Sequence, residues 1–374
     1  MINKPIFRRL LCTALLLLPG LKTLRAQDEI LGTIPAGNRP VFVDINPATG
    51  QAFIVNRGSQ EVSIVDLKTR TIVGKYKISG TLEGIAVNPQ TNHVVVTSSK
   101  GEVSIIDHGQ GKVVAAIPVG KAPSRVAIDV EKNTALVTDF NGESMFLIDL
   151  ATRQIAKKID LKNGSNGVTV LEGKRLAVVA CQYDMELQLV DLEAGTVKDE
   201  LIVGRYISEV AANQTTGMVA VGNPSSSGIL SVYDPEKNTI VSILPIGAGP
   251  LSVAVYAKRN VALVGAYNSA AAILVDLEQN RVIKSIPVGR GPSGVAIDPG
   301  SGLAVVVNSL AGTATFIDIE RIFNPPAPPP PPAPPPAKPP KDPENVFLGI
   351  NPGPLPPLSH GRGSIKRAKT EPRA

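Results

Sequence analysis

Three charged side chains, Asp44, Arg125 and Glu209, stand in segments whose counterparts elsewhere in the chain carry small residues. Two carboxylates and a guanidinium brought to one cavity could hold a polar ligand, or could exchange protons with a substrate as acid and base. They could equally face water or neutralise one another, and residue type alone leaves these readings open. Other chemistry finds less support. Histidine occurs only at His93, His108 and His360, too scattered for a metal-ligand or nucleophile-activating cluster. Cys181 is the sole thiol after Cys12, so it closes no disulfide within the mature chain and reads as a buried, inert side chain. Gly289, Gly291 and Gly294 spell G-x-G-x-x-G, but the run passes through Pro292 from strand to strand and offers no helix N-terminus to a phosphate. No C-x-x-C-H segment exists for haem attachment. No catalytic residue, cofactor or metal ligand is therefore assigned, and Asp44, Arg125 and Glu209 are the candidate ligand-binding residues.

The elements that would position these residues are set by an internal repeat. An Asp closing an apolar run recurs at Asp66, Asp107, Asp149, Asp191, Asp234, Asp276 and Asp318, with spacings between 41 and 43 residues. A glycine closing a strand such as IPVG recurs seven times, from Gly37 to Gly289. Between these markers lie β-branched runs of five to seven residues, such as Leu303 to Asn308 and Thr313 to Ile319, with no helical periodicity. Four short strands in about 42 residues is the size of one propeller blade, so the expected fold is all-β, a seven-bladed β-propeller. Each recurrent Asp sits where the third strand turns into the fourth, and its carboxylate should hold that turn by accepting backbone N–H groups two or three residues on.

Alignment of the repeats puts Asp44, Ala86, Ala127, Thr169, Ala211, Ala254 and Ala296 at one position of the innermost strand. Two residues earlier stand Phe42, Gly84, Arg125, Gly167, Glu209, Ser252 and Gly294. The last repeat breaks into proline at Pro325 before a fourth strand, whereas Glu29 to Gly37 reads like an outer strand. The N-terminal segment, Ile30 to Ile34 at its centre, should therefore complete the seventh blade and remove the last open sheet edge.

Over residues 29 to 320 the chain resembles the YVTN-type bacterial β-propeller repeats. The likeness is carried by VGRGPSGVAIDPGSGLAVVVN, an Ile-Asp strand end and strands ending IPVG. The signature tetrapeptide is not spelled out in any blade, and FIVN (Phe53 to Asn56), LVTD (Leu136 to Asp139) and VVVN (Val305 to Asn308) come closest. The resemblance implies a propeller of the kind found on exported and surface proteins. It does not fix a ligand, because this fold hosts many functions. The absence of tryptophan excludes the Trp-Asp repeat family.

The two ends differ from the repeats. Residues 1–26 read as a secretory signal, with Lys4, Arg8 and Arg9 before an apolar run from Leu10 to Leu18, which is shorter than the roughly 20 residues of a spanning helix. The propeller is expected over 27–323, followed by a proline-rich spacer at 324–340 and a disordered basic tail at 341–374. The formal charge of +6 belongs to these ends, because residues 27–320 carry 25 basic against 29 acidic residues. Nucleic acid is thus not an expected partner.

The expected protein is an exported monomer, periplasmic or at the cell surface, that presents a rigid face or central channel to a protein, peptide or glycan. Its tail would contact an anionic envelope surface. The alternative is a lactonase-like or lyase-like propeller enzyme working through channel carboxylates.

Overall fold

The computed structural model describes residues 28–326, apart from residues 205, 226, 227 and 248. The leader expected at 1–26, the part of the expected spacer beyond Pro326 and the tail expected at 341–374 lie outside the described residues. The repeats fold as seven four-stranded antiparallel sheets in a propeller ring. Blades 1 to 6 span residues 40–77, 82–118, 123–160, 165–202, 209–245 and 250–287, and blade 7 joins residues 292–318 to the N-terminal strand Ile30–Pro35. The first strand of each blade is innermost and neighbours the first strands of the adjoining blades.

Burial follows position within a blade. Middle strands are covered on both faces by neighbouring blades, and accordingly read as continuous apolar runs: Ala304, Val305, Val306 and Val307 are fully buried. Outer strands have one face to solvent, so Thr239–Pro245 alternates exposed and half-buried residues. Apolar layers form between blades. In one, Val43, Ile54 and Val65 of blade 1 pack with Val305 and Phe316 of blade 7.

The recurrent Asp residues hold turns as their spacing predicts. Asp149 Oδ1 accepts the N–H groups of Ala151 and Thr152 at 2.8 and 2.9 Å, and Asp276 Oδ1 accepts those of Glu278 and Gln279 at 3.0 and 2.9 Å. The same contact recurs at Asp66, Asp107, Asp191, Asp234 and Asp318.

Closure by the N-terminal segment reproduces an ordinary blade down to its irregularity. In blade 1 the third and fourth strands shift register between Ile64 and Val65, so one extra residue bulges from the outer strand. Ile30–Pro35 pairs with Thr313–Asp318 with the same shift, between Ile30 and Gly32 opposite Ile317 and Phe316. Thr33 and Thr315 share a hydroxyl hydrogen bond of 3.1 Å, and Asp318 N donates to Glu29 O at 2.8 Å. The buried Glu29 also pairs with Lys284 of blade 6 at 2.7 Å. Leu31 and Ile34 pack on the layer between blades 7 and 1, and Ile30 on that between blades 6 and 7.

Three short elements among the described residues depart from the all-strand reading: the 3₁₀ turns Ala257–Arg259 and Tyr267–Ser269 in blade 6, and a single α-helical turn at Glu320–Phe323. Such short turns are too brief to leave a periodic signature. The α-helical turn is fixed from outside, because Glu320 accepts from Tyr256 Oη at 2.9 Å and pairs with Arg259 at 2.5 Å. Arg259 also lies 5.1 Å from the centroid of Phe323.

Candidate functional site

The direction of the innermost strands defines two faces. Loops entering these strands and those linking second to third strands form the upper face; the Asp-capped turns and the turns ending the innermost strands form the lower one. Near the upper end, Phe42 of blade 1, Arg125 of blade 3 and Glu209 of blade 5 converge on the axis. Arg125 Nε and Glu209 Oε1 form an ion pair, and the guanidinium carbon lies 3.9 Å from the centroid of the Phe42 ring. Arg125 also donates to Glu83 O at 3.3 Å.

Glycine makes this convergence possible. A Cβ at Gly84 would stand 2.5 Å from Ser124 O, one at Gly167 2.5 Å from Ser208 O, and one at Gly294 2.7 Å from Val41 O. Each glycine lets its strand press against the strand carrying the next large residue: Gly294 precedes Phe42, Gly84 precedes Arg125, and Gly167 precedes Glu209. Alternating absent and large side chains thus admit three groups where seven would collide.

These three residues roof a lower well of about 440 Å³, walled by small and β-branched residues including Ala127, Ala211 and Ala296. Asp44 lies on the wall of this well. Its two oxygens accept the backbone N–H groups of Ile45 and of Val87 in the next blade, both at 2.8 Å. Thr169 and Ser252 make the equivalent link, accepting from Ala212 at 3.2 Å and Val295 at 2.8 Å. Asp44 is thus one of a set of staples that satisfy inner-strand N–H groups across blade boundaries. Burial raises its carboxyl from the ordinary 3.8 to about 6, against the lowering effect of the two N–H donors. Burial likewise pushes the Glu209 carboxyl up, opposed by Arg125.

The structure therefore unites Arg125 and Glu209 and holds Asp44 apart in the well. The sequence reading missed three further charged residues above the roof. Arg57 donates to Leu82 O at 3.1 Å and pairs with Glu83, and Arg39 accepts the Arg57 N–H at its carbonyl at 3.0 Å. Arg39, Arg57 and Arg125 line an upper mouth of about 320 Å³ together with Tyr267, Ser293 and Ser309. A sequence signal for Arg39 existed: it precedes Pro40 where blades 6 and 7 place Gly249 and Gly291 before their prolines. All three have positive φ, at 50°, 77° and 68°.

The remaining candidates have structural surroundings. Cys181 is fully buried, and desolvation pushes its thiol up to about 12, which leaves no thiolate at neutral pH. His108 is held by Tyr76 Oη and Gln51 Oε1, both at 2.8 Å. Gly294 lies within a strand, and no helix follows the glycine triplet. Among the described residues no group of three or more His, Cys, Asp or Glu side chains is arranged to hold a metal ion. Nor is any helix among them long and apolar enough to cross a membrane.

The chain is thus a seven-bladed β-propeller with a roofed axial well and an arginine-lined upper mouth. Neither a family model nor a curated protein matches it. Among solved structures it is similar to a chain of hydrazine synthase from Kuenenia stuttgartiensis, with a TM-score of 0.69 at 17% identity over 75% of this chain and 96% of that one. At that identity the likeness shows the fold alone.

Proposed function

We propose that this chain is a binding protein whose upper face receives a protein, peptide or glycan, and that its axial carboxylates serve the scaffold. The observation that carries this reading is the occupation of those carboxylates: Glu209 is paired with Arg125, and both oxygens of Asp44 accept backbone N–H groups. A general acid or base must reach the proton it transfers. Here the candidate groups are held in contacts between blades. The upper face also carries the exposed side chains Tyr183, Tyr206 and Leu310 on its loops, groups suited to contact a partner.

Export belongs to the same proposal, with residues 1–26 as signal and the ring, a YVTN-type repeat array, in the periplasm or at the cell surface. The basic residues after Gly361 would add a weak, salt-sensitive contact with an anionic envelope polymer. The test pairs glycan and peptide arrays with a panel of lactone and polysaccharide substrates, using the parent, Tyr267→Ala and Asp44→Asn. The reading predicts array binding weakened by Tyr267→Ala. Turnover that vanishes in Asp44→Asn would instead establish the lactonase-like or lyase-like reading.

A further inference from the structure

The upper mouth has a one-sided chemistry. Three guanidiniums line it and no carboxylate does, although the chain between its ends is net acidic. Arg57 and Arg125 have partners at the rim in Glu83 and Glu209, whereas Arg39 has no ion pair among the described residues. Burial lowers the Arg57 guanidinium below its ordinary value; Glu83 opposes this, and the nearby Arg125 and Arg39 charges add to it. Three arginines against two glutamates leave one positive charge uncompensated at a concave site.

The backbone at Arg39 offers a way to test that charge. Its φ of 50° lies in the left-handed region that an L side chain adopts at a cost, as at thirteen other non-glycine positions among the described residues, and the matching positions in blades 6 and 7 are glycine. Arg39→Gly therefore removes the guanidinium while relieving the backbone.

The mouth is also one half of a longer depression. A groove of about 290 Å³ adjoins it, sharing Arg125, Asn166 and Gln182 and walled by Glu83, which is paired with Arg57, and by Phe140, whose ring packs 5.1 Å from that of Tyr183. The mouth adds hydroxyls from Tyr267, Ser293 and Ser309. Hydroxyl and amide groups both donate and accept, which suits a polyhydroxylated ring, and an aromatic wall suits the C–H face of a neighbouring sugar.

From this arrangement we infer that the upper mouth binds the carboxylate of a uronic acid residue in an acidic oligosaccharide, with the adjoining sugar in the groove. Arg39 and Arg57 supply the charge-assisted hydrogen bonds, for which the planar guanidinium fork is suited. The inference rests on the upper face being the binding face, and it narrows the ligand to one class.

The test is calorimetric titration of the full chain with galacturonate, glucuronate and mannuronate trimers and with the methyl ester of each. Neutral trimers and peptides bearing free C-terminal carboxylates serve as parallel arms. At least one uronate trimer should bind, with its ester weaker by about tenfold or more. Arg39→Gly should abolish that preference for the acid while raising the melting temperature, a combination that a purely structural role for Arg39 would not give. No binding by any uronate, equal binding of acid and ester, or an unaltered preference in Arg39→Gly overturns the inference. Binding of the neutral sugars or peptides alone overturns it too, but leaves the upper-face reading standing if Tyr267→Ala still weakens that binding.

Discussion

Arg125 and Glu209, 84 residues apart and two blades removed, pair at the axis of the ring with the Arg125 guanidinium laid on Phe42. Their side chains are only 17% and 14% exposed, so each charge depends on the other for what it has lost in solvation. Arg125→Met should cost about 3 kcal/mol, because it leaves Glu209 buried beside an apolar roof. Adding Glu209→Gln should recover a large part of that loss. A denaturant-unfolding double-mutant cycle measures it, and additive losses would show that the two side chains do not interact.

The glycine beside this pair makes a steric prediction. Gly84 does not have a positive φ, so alanine is disfavoured there by steric contact alone: the added Cβ would stand 2.5 Å from Ser124 O, 3.0 Å from Thr97 Oγ1 and 3.2 Å from Arg125 Cα. Gly84→Ala should destabilise by about 1–3 kcal/mol, as overpacked sites do. Gly173→Ala, where nothing lies within 4 Å of the Cβ but φ is 72°, tests backbone strain alone in the same assay.

Ring closure predicts a larger effect. Deleting residues 27–36 removes the bulged outer strand of blade 7, the Thr33–Thr315 bond and the Glu29–Lys284 pair. It also bares the edge of Thr313–Asp318, a template for pairing with another chain. The truncated ring should melt at lower temperature and aggregate in light scattering. An unchanged melting temperature in a monodisperse sample would refute closure by this strand.

Two carboxyls give opposite pH dependence. Glu320 is held down to about 2 by hydrogen bonds from Arg259 and Tyr256, so its stabilisation is full above its ordinary 4.5 and is lost as pH falls toward 2. Asp44, raised to about 6, holds a proton in the folded state that the unfolded chain releases above 3.8, so its contribution is lost as pH rises through 6. Denaturation midpoints between pH 3 and 8 should lose stability at the acid end in the parent but less so in Glu320→Gln. Asp44→Asn should flatten the fall between about pH 4 and 6.

Much of this fold was legible because each blade solves the same local problem with the same residue. A carboxylate placed to catch two N–H groups has to be repeated wherever the third strand turns, and the Asp series from Asp66 to Asp318 displays it. The site was legible only in part. The sequence marked Asp44, Arg125 and Glu209 as exceptions to small residues, but whether they meet depends on the rise of each strand at the axis. Asp44 and Thr169 serve the same purpose with different chemistry, so its role as a staple had no signature in residue type. Arg57 was invisible because it directly follows a second strand, Gln51–Asn56, a position the alignment of innermost strands does not sample.

The most direct measurement of where this ring binds is a crystal structure of the chain soaked in a trigalacturonate. Density is expected in the upper mouth, with a carboxylate within hydrogen-bond reach of the Arg39 and Arg57 guanidiniums and with the Arg125–Glu209 roof intact beneath it. Density in the lower well against Asp44, with the roof pair broken or the sugar cleaved, would contradict binding at the upper mouth.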